Sequence, residues 1–109
     1  MKWYEDLFVG ESVTGKIKKI KWKVGHNAGM LYTYVITFPS NDNNLLDVIP
    51  TRELLQKGYP KKNLHIIGIA GSYDEAIGLV TAIVEETYNN TGGTDVREYL
   101  KRGRRRMTE

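Results

Sequence analysis

The sequence predicts a single α+β domain: a small three-stranded mixed sheet packed by a long amphipathic helix, with additional short helices. Three observations carry that expectation. Residues 64–70 (LHIIGIA) form a short apolar run bounded by turn residues, the pattern of a buried strand. From Tyr73 to Tyr88 the apolar residues Tyr73, Ala76, Ile77, Val80, Ile83, Val84 and Tyr88 recur at three- and four-residue steps, one face of a helix. Residues 31–38 (LYTYVITF) are dense in aromatic and β-branched side chains, which suit a pleated surface.

In chain order, the first element is a basic helix within residues 11–29. Ile17, Ile20 and Val24 fit a helical face, whereas Ile20, Trp22 and Val24 alternate with lysines as a strand would. We read residues 16–24 as helix. The alternative is a strand paired with residues 31–38 across the turn GHNAG at 25–29. Residues 31–38 then open a hairpin, turning through PSNDNN at 39–44 and returning through LLDVI at 45–49. Pro50 ends that arm. Thr51 caps a short helix closed by Gly58, and this helix makes the crossover to the strand at 64–70.

Gly71 and Ser72 break that strand. Ser72 and Glu75 make an S-x-x-E capping box for the long helix, with Asp74 and Glu75 suited to the positive end of its dipole. NNTGG at 89–93 stops it. Thr94 caps a terminal helix with Val96, Tyr99 and Leu100 inward, ended by Gly103. The long helix should cover one side of the sheet and bury Ile36, Ile67, Ile77, Val80 and Val84. Residues 1–100 form the domain, and residues 101–109 a basic, flexible tail.

Composition narrows the function classes. The 109 residues contain no Cys and two His, which excludes a disulfide scaffold, thiolate zinc sites and a thiol nucleophile. No apolar run approaches the roughly 18 residues of a membrane span, and the first 20 residues lack a signal-peptide core. A cytoplasmic protein without membrane association is therefore expected. The turn GIAGS at 68–72 fails the G-x-G-x-x-G pattern and lacks G-K-[ST], so it reads as a plain βα turn. Asp74 and Glu75 beside it would repel a phosphate. His65 reads as a hydrogen-bonded sheet residue and His26 as a turn residue. Glu85 and Glu86, adjacent in sequence, do not face each other on a helix and make a poor catalytic dyad. With no G-x-S-x-G either, no enzyme, metal site or cofactor is expected.

The charge is segregated. Sixteen Lys and Arg against 13 Asp and Glu give a net charge of +3. Residues 1–100 alone carry 11 basic and 12 acidic side chains, a sum of −1. Lys16, Lys18, Lys19, Lys21 and Lys23 form one acid-free cluster, and Lys101, Arg102, Arg104, Arg105 and Arg106 another. Between them, residues 73–96 carry Asp74, Glu75, Glu85, Glu86 and Asp95 and no Lys or Arg. The five lysines with Arg102, Arg104, Arg105 and Arg106 are the candidate nucleic-acid contacts, since phosphate neutralisation supplies sequence-independent affinity. The bland reading is a solubilising lysine face and a frayed end.

Six blocks carry a family resemblance: MKWYEDLFVGES at 1–12, KWKVGHNAG at 21–29, YVITFPSN at 34–41, NLLDVIP at 44–50, ELLQK at 53–57 and IIGIAGSYDEA at 66–76. In order and spacing they resemble a family of small proteins encoded on conjugative transposons of clostridia and related Firmicutes. The resemblance spans about residues 1–100 and implies a cytoplasmic setting on a mobile element, without assigning residue roles. Relatives usually carry Lys where Gly25 stands here, and the Arg-rich end lies outside the shared part. The expectation is a non-enzymatic accessory protein of the element that contacts DNA or RNA non-specifically. The alternative is an adaptor for other transposon-encoded proteins, working through an aromatic surface around Trp3, Tyr4 and Phe8.

Overall fold

The computed structural model describes residues 1–26, 32–39, 45–56, 58–60 and 63–103. In order these form β1 (Lys2–Val9), a 3₁₀ turn (Glu11–Val13), α1 (Ile17–His26), β2 (Tyr34–Thr37), β3 (Asp47–Pro50), α2 (Thr51–Leu54), β4 (His65–Ala70), α3 (Tyr73–Thr91) and α4 (Val96–Lys101). The α+β class holds, with four strands in place of three, in the order β1-β4-β2-β3. β1 runs parallel to β4, and β2 is antiparallel to both β4 and β3. The predicted turns at residues 25–29 and 39–44 lie largely outside the described residues.

The added strand is β1, KWYEDLFV. Its apolar residues face both ways, Trp3, Leu7 and Val9 toward one layer and Tyr4 and Phe8 toward the other. A strand covered on both faces shows no apolar–polar alternation, so it carries no period-2 signal. Glu5 and Asp6 interrupt it further, and they lie where its register with β4 shifts, between Trp3 and Phe8.

Helices cover both faces of the sheet, where the sequence led us to expect one. On one face α3 and α4 bury Ile83, Val96, Tyr99 and Leu100 against Phe8, Ile36 and Ile67. On the other, α1 and α2 bury Ile20, Val24 and Leu54 against Val35, Ile66 and Ile69. Ile66 and Ile69, three apart, share a face because β4 bulges at Ile67, opposite the register shift between Ile36 and Thr37 of β2.

Residues 17–26 are helix, which settles the helix–strand ambiguity. The buried stripe of α3 runs through Ala76, Ile83 and Thr87, flanked by the partly buried Leu79, Val80 and Val84. Ile77, expected in the core, is 41% exposed, because one residue beyond Ala76 turns it about 100° off the stripe. Tyr73 and Tyr88 also face outward.

Three caps differ from expectation. At α3 the Ser72 hydroxyl accepts from the Glu75 N–H at 3.1 Å, but the Glu75 carboxylate reaches past Ser72 to the Gly71 N–H. At α4 the cap is Asp95, not Thr94, with its carboxylate accepting from the Glu98 N–H at 3.1 Å. At α2 Thr51 is the first helical residue, and its hydroxyl pairs with that of Thr33 at 2.8 Å instead of capping. The crossover from β3 to β4 passes over β2 on the α1 side, where Leu54, Tyr59 and Leu64 pack. No helix among the described residues is long and apolar enough to cross a membrane.

Candidate nucleic-acid interface

With Ile20 and Val24 buried, the helical period of α1 turns its lysines onto every other direction. Lys16, Lys19 and Lys23 lie along one flank, beside Tyr32 and the turn after β4. Lys21 lies on the other flank, its ammonium 5.3 Å from the centroid of the Trp3 ring, a cation–π contact. Lys18 is exposed between that flank and the top of the helix. At the top, Trp22 is 57% exposed and stacks on His26, with centroids 4.3 Å apart and planes 19° from parallel. His26 is thus the last residue of α1, not a turn residue, and its Nδ1 lies 2.8 Å from the Trp22 carbonyl oxygen.

Two of these lysines work against their own helix. Lys18 and Lys19 stand in the first turn of α1, which has no acid, so cations face the positive end of the dipole. Each such placement costs roughly 0.3–1 kcal/mol at an exposed site. A solubilising face could carry the same charges at the other end of the helix without that cost. A local rule broken without structural gain is expected where a surface has a task.

Arg102 is elsewhere. It follows α4 on the opposite layer, and its Nε donates to a Glu98 carboxylate oxygen at 2.9 Å. The depression it borders at the edge of β1 also contains Glu5 and Asp6, which offset its charge and that of Lys101. The sheet therefore separates Arg102 from the α1 lysines. Arg104, Arg105 and Arg106 lie outside the described residues.

The aromatic residues proposed for an adaptor surface are largely spent in packing. Phe8 is buried with α3 and α4. Trp3 lies beneath Lys21, and the Tyr4 hydroxyl donates to the Leu100 carbonyl at 3.1 Å. His65 sits between the rings of Tyr4 and Phe38, at 6.4 and 4.9 Å. Burial, and then the charges of Lys2 and Arg97, hold its pKa below the usual histidine value.

A second feature joins α1 to the sheet. β1 and β4 are parallel neighbours, but the chain leaves β1 toward α1 on one layer and leaves β4 toward α3 on the other. A crevice opens where adjacent parallel strands part company in this way. It is lined by Ser12 and Val13 after β1, Gly71 after β4, and Lys16, Lys19 and Lys23. Beside it, on the turns that line it, the Glu75 carboxylate accepts from the Gly71 N–H (2.6 Å), the Ser12 N–H (3.1 Å) and the Ser12 hydroxyl (2.7 Å). Those bonds, the Gly71 N–H foremost, hold its pKa below the usual carboxylate range. The approach is so close that a Cβ on Gly10 would collide with Glu75, and one on Gly71 with the Ser12 hydroxyl. The sequence shows the S-x-x-E spacing but not this cradle, since Ser12 is 63 residues from Glu75.

Among the described residues no three His, Cys, Asp or Glu converge as a metal site would require. The chain matches no protein-family model, no curated protein and no solved structure.

Proposed function

We propose that this protein is a non-enzymatic accessory factor of a conjugative transposon that binds nucleic acid non-specifically through the outer face of α1. The observation that carries the binding reading is a surface of five lysines, four on α1 and Lys16 just before it, with an exposed Trp22–His26 stack at its top. Cations tracking a backbone beside an aromatic platform are the usual recipe for single-strand binding without sequence preference. Arg102, on the opposite layer, enters as a secondary contact, as do Arg104, Arg105 and Arg106. The transposon setting rests on the resemblance of residues 1–100.

Fluorescence anisotropy with a labelled single strand and a labelled duplex, each at two salt concentrations, tests the reading. Binding should weaken with salt, with a logarithmic slope of up to about −3.5 if five lysines each neutralise a phosphate of a single strand. Trp22→Ala should weaken single-strand binding more than duplex binding. Absence of binding to either probe at low salt would end the proposal. One observation favours a second reading, an adaptor for other proteins of the element: Tyr73, Ile77 and Tyr88 are exposed along α3. Pull-down of those proteins, with a Tyr73→Ala and Tyr88→Ala double variant as the control, separates the two.

A further inference from the structure

We infer that the crevice at the C-terminal ends of β1 and β4 is a nucleotide site, with Lys16, Lys19 and Lys23 holding the phosphate and Tyr32 the base. The inference rests on the same helix as the nucleic-acid reading, but it uses three of the five lysines and a pocket in place of an open surface. Its ligand chemistry is a phosphate ester carrying a flat ring, supplied by a free nucleotide or by the phosphorylated 5′ end of a strand.

Three independent observations converge on it. The crevice stands at a topological switch point of the sheet, where the backbones after two parallel strands diverge and leave room for a ligand. Its volume of about 360 Å³ falls within the range of small-molecule sites, about 300–1,000 Å³. The turns that border it already hold an anion, since the Glu75 carboxylate takes the backbone N–H groups of Gly71 and Ser12 and the Ser12 hydroxyl. Such groups at a strand-to-helix turn are the donors that phosphate sites use.

Glu75 also fixes where a phosphate would sit. The Ser12 and Gly71 donors are taken by Glu75, so the phosphate is held by ammonium groups. Lys16, Lys19 and Lys23 stand at i, i+3 and i+7 along one flank of α1, and among the described residues none of the three is in an ion pair. Three such charges outweigh the two carboxylates beside the turn, Asp74 and Glu75, of which Glu75 is already hydrogen-bonded. Tyr32, 69% exposed at the rim, offers a ring face for stacking. Lys18 and Lys21 do not line this pocket and serve as controls for binding within it.

The test uses the full chain, with calorimetric titration of metal-free adenosine triphosphate and of pyrophosphate. Anisotropy of one single strand bearing either a 5′-phosphate or a 5′-hydroxyl completes it. Lys19→Gln should weaken triphosphate binding, or the ratio of 5′-phosphate to 5′-hydroxyl strand affinity, about tenfold, and Lys18→Gln should change neither by more than about twofold, with unchanged melting of both variants confirming the fold. Tyr32→Ala should weaken the triphosphate severalfold and leave pyrophosphate unchanged. Binding of the triphosphate identifies a free nucleotide as the source. A preference for the 5′-phosphate strand, without triphosphate binding, identifies a strand end.

Equal losses from Lys18→Gln and Lys19→Gln in triphosphate binding or in the 5′-phosphate preference would overturn the inference and leave the open-surface reading standing. So would no preference for the 5′-phosphate strand together with no triphosphate binding. Triphosphate binding with no strand binding would support the site and end the nucleic-acid reading.

Discussion

The two helical layers of this molecule are built on opposite electrostatic rules. On one side of the sheet, α3 starts with Asp74 and Glu75 in its first turn, is capped by Ser72 and ends at Gly92 in the left-handed conformation. Its first-turn acids, its cap and its glycine stop all agree with the helix. On the other side, α1 opens with lysines, lacks an acid in its first turn and relies on Ile20 and Val24 to hold it to the sheet. The layer that obeys local rules is acidic and carries no Lys or Arg from residue 73 to residue 96. The layer that breaks them carries the candidate site. Helix stability on the α1 side must come from packing, which frees its outer face for cations that weaken it.

Core truncation tests this most strongly. Ile83→Ala on the α3 layer and Ile20→Ala on the α1 layer should each cost about 2–5 kcal/mol in denaturant unfolding. A loss below about 1 kcal/mol at Ile20 alone would show that α1 is not held by packing. Next in size, Ser72→Ala should destabilise by about 1 kcal/mol, since the Glu75 N–H loses its cap.

Lys18→Glu should act in two directions at once. An acid in the first turn of α1 should raise stability by about 0.3–1 kcal/mol while weakening nucleic-acid binding. Both effects having the same sign would break the contrast between the layers.

The smallest effect is in pH. His65 and Glu75 both have folded-state pKa values below their ordinary ones. For His65 the neutral ring is the form the fold prefers. Its contribution is complete above about pH 6.5 and declines as pH falls through the lowered folded value. For Glu75 the ionised form is preferred, so its contribution is complete above about pH 4.3 and is lost as pH falls further. Unfolding midpoints across a pH series should therefore fall in two steps on acidification. Glu75→Gln should flatten the lower step and leave the upper one; an unchanged lower step would show that the cradle at Ser12 and Gly71 contributes nothing.

Much of this architecture is legible in local sequence. β4, α3 and the β2–β3 pair follow from apolar runs and turn residues, and the lysine face follows once residues 17–26 are read as helix. The Trp22–His26 stack was legible on the same condition, because residues four apart share a helix face. β1 was missed because it is apolar on both faces. Ile77 was misplaced because Tyr73, Ile77 and Tyr88 continue the apolar pattern of α3 onto its solvent side.

The sequence by itself determined the fold class, most of the helices and strands, and a near-neutral stretch over residues 1–100 carrying one dense lysine segment. These depend on interactions between residues a few positions apart. Only the tertiary structure decided that the sheet is covered on both faces, that Arg102 is parted from the lysines, and that Ser12 and Gly71 meet around Glu75. Those facts depend on which strands become neighbours, and β1 and β4 are brought together across more than fifty intervening residues. No local pattern encodes that pairing. It arises because both strands are apolar on two sides and can be buried only beside one another, between two helical layers.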